Sequence, residues 1–148
     1  MTAAPRSRGR RTVGLGKLDA DDAFLAILIA AMDAGGHVSA EEAARAHNII
    51  WSMRRFRNRS GEAVGRRIER ARTLLEKHAA SSVYEAASKA IPPRLRKAAF
   101  AVAADIVLVD GRMERPEQQF LKVLAEDLGL SRQTARDILG VIRTKNSA

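Results

Sequence analysis

With 148 residues, no cysteine and a formal charge of +9, the chain has room for one hydrophobic core. It has no means to form disulfides, thiolate nucleophiles or cysteine-ligated zinc and iron–sulfur sites. Apolar residues make up 46% and aromatic ones 4%, which favours close-packed helices with small side chains over a sheet of bulky ones, and the longest apolar run, Ala23 to Met32, is too short to span a bilayer.

The basicity lies in two places. Residues 1 to 18 carry Arg6, Arg8, Arg10, Arg11 and Lys17 and no acid, while residues 54 to 72 carry eight arginines against Glu62 and Glu69. The rest of the chain is slightly acidic. Residues 1 to 18 have no hydrophobic period and read as a disordered basic arm ahead of an all-helical domain over 19–148. The apolar face that an organelle transit peptide needs is missing from them.

From Asp19 onward the punctuation is helical. Asp19 caps a predicted helix over about Ala20 to Met32, with Asp22 in its first turn. After a loop from Ala34 to Val38, Ser39 and Glu42 form a capping box ahead of a second helix with Ala43, Ala46, Ile49, Ile50 and Met53 at helical spacing. Ser60 opens a third, with Val64, Ile68, Ala71, Leu74 and Leu75 on one stripe. Ser82 and Glu85 predict another capping box before a short helix ending near Ala90. Pro92 and Pro93 force a boundary, and Pro93 suits the first turn of a long helix reaching about Val109, with core positions Leu95, Ala99, Val102, Ile106 and Val109. Gly111 stops it. A further helix spans about Pro116 to Leu128 and the last runs from Ser131 to about Thr144. The expectation is an all-α, single-domain bundle of about seven helices.

One pattern occurs twice, 75 residues apart. Gly35-Gly36-His37-Val38-Ser39-Ala40-Glu41-Glu42 aligns with Asp110-Gly111-Arg112-Met113-Glu114-Arg115-Pro116-Glu117. In each, an apolar helix enters, glycine turns the chain, an aliphatic residue follows, and a glutamate sits in the next helix's first turn. Two such hairpins can share one interior about a pseudo-twofold axis. The second copy, with its lead-in Ile91 to Asp105 and the run through Leu-Ala-Glu-Asp-Leu-Gly-Leu130, resembles the TerB-like tellurite-resistance family. The resemblance covers about residues 20 to 143 and is looser in the first copy, where Asp33 stands two positions early. It implies an all-helical fold, a cytoplasmic bacterial setting and a link to tellurite and metal stress. It also implies that acidic residues at the hairpin turns contact a divalent cation.

No cofactor is fixed by the sequence, and a divalent metal ion is the one candidate. Its ligands would be Asp105, Asp110 and Glu117 at the second turn, with Asp33 and Glu42 as the first-turn counterparts, because hard cations take several oxygen ligands. The competing reading gives Asp110-Gly111 to turn chemistry and Glu117 to helix capping. Asp105 lies among Ala104, Ile106 and Val107, so it needs a partner, either an arginine or an ion. Neither turn has the ligand spacing of an EF-hand.

The arginines Arg54, Arg55, Arg57, Arg59, Arg66, Arg67, Arg70 and Arg72, beside Trp51 and Phe56, suit phosphate contact and stacking against nucleic acid or an acidic membrane surface. The alternative is a basic face paired with acidic neighbours, with Trp51 and Phe56 capping the core. Enzymatic signals fail. Gly14-Leu15-Gly16-Lys17 lacks most of a phosphate loop, and His37, His47 and His78 have no metal-ligand spacing and no adjacent nucleophile. The sequence therefore points to a non-enzymatic module of tellurite and metal stress working through an unidentified protein partner. The alternative function is nonspecific binding of nucleic acid or acidic membrane through the arm and the arginines.

Overall fold

Every position from Ala23 to Met32 is buried, and a helix that is apolar all round belongs inside a bundle rather than on its surface. This helix, α1 (Ala20–Asp33), is the axle of the fold. In the computed structural model, which describes residues 15–109 and 111–148, it is surrounded by α2 (Ala40–Ser52), α3 (Gly61–Lys77), α4 (Ala80–Ala90) and α5 (Arg96–Val107). Two more helices, α6 (Arg115–Asp127) and α7 (Arg132–Asn146), complete the bundle by packing on α5, and α6 also meets α4. The fold is all-α, with no strand among the described residues. Ala23, Ala26, Ala30 and Ala31 place little bulk on α1, so its neighbours can approach on all sides.

The two hairpins are α1–α2 and α5–α6, and their central helices α1 and α5 pack on each other. The turn glycines that align in sequence, Gly36 and Gly111, both take a left-handed backbone, with φ of 90° and 80°, which a residue with a Cβ adopts only with strain. The glutamates six residues on are equally matched. Glu42 accepts from the Ser39 amide at 3.0 Å and Glu117 from the Glu114 amide at 2.9 Å, and both are buried. Local capping chemistry thus reproduces one turn twice.

Four expectations are corrected by the packing. Ser82 and Glu85 do not cap α4: the helix begins at Ala80, and the Ser82 and Val83 amides already donate to the Ala79 carbonyl. Only His78 and Ala79 separate α3 from α4, and Val83 must already be helical to reach the core. The helix expected from Pro93 to Val109 is instead a 3-10 turn at Pro93–Leu95 followed by α5, which ends at Val107. Its core face is also wider than the predicted stripe. Leu95, Val102 and Val109 are half-buried, and Phe100, Ala103, Ala104 and Val107 are fully buried because α5 is packed from several sides. Finally, residues 15 to 18 are not a free arm. Leu15 is buried in the core, Leu18 packs against it and the Lys17 carbonyl accepts from Arg70 at 3.1 Å, contacts that together offset the cost of ordering these residues beside α1. The remainder of the predicted arm, residues 1–14, lies outside the described residues.

Candidate functional site

Among the described residues, the proposed cation ligands Asp33, Glu42, Asp105 and Glu117 form no group of three that could hold a metal ion. Asp105 projects from α5 into a junction with both chain halves: Arg45 of α2 donates to it at 2.9 Å, Lys145 of α7 at 3.2 Å and Asn146 at 3.4 Å. Of the two partners the sequence allowed, an arginine holds it, and its carboxylate ties three helices together. A half-buried acid between helices is stabilised most directly by a cation from a neighbouring helix. Asp33 is exposed at the end of α1. Its charge, after burial itself, contributes to raising the Tyr84 hydroxyl above its ordinary pKa, so it faces α4.

Glu42 and Glu117 each commit one oxygen to a capping amide. The other oxygen of Glu117 lies where the two turns meet: a Cβ built on Gly35 would stand 3.4 Å from Glu117 Oε2 and 3.5 Å from Glu114 Oε1. Gly35 therefore lets the first turn close over the acids of the second. Among the described residues no three histidine or acidic side chains are grouped to hold a metal ion. Asp110 lies outside them.

The arginine cluster resolves into a clamp. Asp19, Asp21 and Asp22 crowd the start of α1, and Asp21 and Asp22 are buried. Arg55 and Arg59 reach Asp21 at 2.6 and 2.7 Å, Arg67 reaches Asp22 at 2.8 Å and Asp19 at 2.9 Å, and Arg70 reaches Asp22 at 3.1 Å. Arg55 also covers the Phe24 ring, 5.1 Å from its centre, a favourable cation–π geometry. Burial pushes the Asp19 carboxyl up, but the Asp22 amide and the Arg67 guanidinium outweigh it and hold the group below the usual carboxylate range. Arg67 is correspondingly raised, chiefly by its bond to Asp19.

Arg66 pairs with Glu62 one turn away. Arg54, Arg57 and Arg72 are exposed and remain for anion contact. Phe56 is wholly buried and Trp51 half-buried, so Phe56 offers no face for stacking. The open cleft beside the clamp is lined by Asp19 and Asp22 as well as by Arg59, Arg66, Arg67 and Arg70, and an entering phosphate would meet two carboxylates. Asp21, the clamp's most deeply paired acid with Asp22, is a residue sequence reasoning passed over. The signal available was three acids within four residues at a helix start.

Two matched, glycine-turned hairpins around a buried axle, with acids at each turn, form the frame on which the family comparison bears. The family model described as tellurite resistance protein TerB matches residues 21–139, from the start of α1 into α7. The chain belongs to the TerB family. No curated protein and no solved structure matches it significantly. The TerB match takes in both hairpins, Asp21 and Asp22 with the four clamp arginines, and the Arg45–Asp105 pair. No helix among the described residues is long and apolar enough to cross a membrane.

Proposed function

We propose that this TerB-family protein is a non-enzymatic module of tellurite and metal stress tolerance that works through protein contacts, with a divalent cation held weakly at the second turn. The observation that carries the reading is the family match over residues 21–139, which runs from the start of α1 into α7 rather than over one motif. The absence of any catalytic pattern in the sequence agrees with a binding role. The cation component rests on Asp110 and Glu117, because Asp105 is already engaged by Arg45 and Lys145. No reaction step is assigned to it.

Anion binding ranks second because the clamp neutralises Arg55, Arg59, Arg67 and Arg70, leaving Arg54, Arg57 and Arg72 with residues 1–14 as its basis. Two measurements test the proposal. Deleting the gene in its native host should lower survival on tellurite, and the wild-type chain should restore it; unchanged survival would remove the stress role. Millimolar Mg²⁺, Ca²⁺ or Mn²⁺ should raise the melting temperature of the wild type but not of Asp110→Asn, since a ligand that binds only the folded state stabilises it. An equal response in both would remove the cation from this turn.

A further inference from the structure

Helices α6 and α7 are joined by the short turn 128–131, and both pack on α5, yet they meet each other only sparsely. Between them runs a cleft of about 220 Å³ floored by Phe100, Leu121 and Ala125 and flanked by Leu130, Ala135 and Leu139. The floor is buried, whereas the three flanking residues are only partly so. On α6 the lining falls at Gln118, Leu121, Lys122 and Ala125, and on α7 at Arg132, Ala135, Arg136 and Leu139. Each wall is thus an i, i+3, i+4, i+7 face about two turns long, the surface a helix offers to another helix. At 220 Å³ the space is below the roughly 300–1,000 Å³ of sites that enclose a drug-sized molecule. It suits the side-chain stripe of a docked helix.

We infer that this cleft is a docking groove for an acidic amphipathic helix of a partner protein. The charge of its rim selects the occupant. Lys122, Arg132 and Arg136 are exposed around an apolar floor, and none of them is in an ion pair with a described residue. Glu126 is the single acid among them. Arg132 also stands in the first turn of α7, which holds no acid, where a positive charge opposes the helix dipole and an incoming carboxylate relieves it. The clamp arginines, by contrast, already have their acids. The chain's own first residues are excluded as occupant by charge, since Arg6, Arg8, Arg10 and Arg11 come with no acid. A second copy carries the same basic rim and a net charge of +9, and like charges brought together oppose association. An apolar helix face bordered by glutamate or aspartate satisfies floor and rim together.

The inference rests on the reading that the protein acts through protein contacts and names the surface and the partner class. Its test uses the whole chain and labelled synthetic helices of about 18 residues, roughly five turns, with a leucine stripe flanked by glutamates. A second peptide has lysine in place of each glutamate. The glutamate peptide should bind, with affinity that falls as salt rises and drops at least about tenfold in Arg132→Glu/Arg136→Glu. It should shift the methyl resonances of Leu121 and Leu139, which locates binding without any variant. Ala135→Trp, which fills the cleft from its partly exposed wall, should abolish binding while leaving the helical circular dichroism unchanged. Equal binding of both peptides, or shifts confined to other faces, would overturn the inference. So would binding of decanoate or phosphatidylglycerol vesicles that displaces the peptide, which makes the cleft an amphiphile site, or a dimer of the protein alone that Ala135→Trp dissolves. Peptide binding is measured without tellurite, so its failure and a failure of the stress reading are separate results.

Discussion

The start of α1 and the cleft between α6 and α7 carry arginines to opposite ends. At α1, four arginines from the most basic stretch of the chain are absorbed by Asp19, Asp21 and Asp22. At the cleft, three cations spread along two helices border an apolar floor with one acid between them. Density of charge in sequence is therefore a poor guide to where a charged partner docks. What matters is whether the fold has already supplied counter-ions, since a cation paired to a buried carboxylate must surrender that contact to bind anything else.

The largest effect is expected at Asp22, which is buried, accepts from two arginines and helps cap α1. Asp22→Ala leaves Arg67 and Arg70 without that carboxylate. It should cost about 3 kcal/mol, the lower end for breaking a buried pair because the arginines are partly exposed. Denaturant titration should show this as a lower midpoint with an unchanged slope.

A smaller effect is expected at Asp127, on the end of α6. Burial raises its carboxyl above the ordinary carboxylate value, and Glu85 and Glu126 raise it further against the opposing pull of Lys89. A raised pKa means the folded state binds the proton more tightly than the unfolded one. Stability from this group is therefore greatest in acid and falls as pH rises through the shifted value. Asp127→Asn should melt higher than wild type at neutral pH, and the difference should vanish near pH 3. Asp19 has the opposite sign: its lowered pKa contributes stability above the ordinary carboxylate value that is lost as pH falls.

The smallest effect is expected at the rim of the cleft. Replacing Lys122, Arg132 and Arg136 together by serine should change stability by no more than about 0.5 kcal/mol, as for surface positions without structural partners. A loss as large as that of Asp22→Ala would mean that the rim is a second clamp.

How much was legible depends on how far each decision reaches along the chain. Asp19 with Asp22, Ser39 with Glu42, and Gly36 and Gly111 act within a few residues of themselves, so their caps and turns were readable directly. Ser82 with Glu85 carries the same letters and does not act as a cap, because α3 ends only two residues before α4 begins. Asp105 announced that it needed a partner without naming it, and Arg45 lies 60 residues away. The clamp was open in the same way, since each arginine stood equally ready for phosphate or for an aspartate 34 to 48 residues distant.

The sequence by itself determined the helical class and the paired hairpins, because capping, glycine turns and apolar periodicity are local and repeat within one or two turns of chain. Only the tertiary structure decided which charges are spent and which face outward, and that α6 and α7 leave a cleft over Phe100. Those outcomes depend on which helices meet, and the energy of a charge in a protein is set by its neighbours in space rather than by its place in the chain.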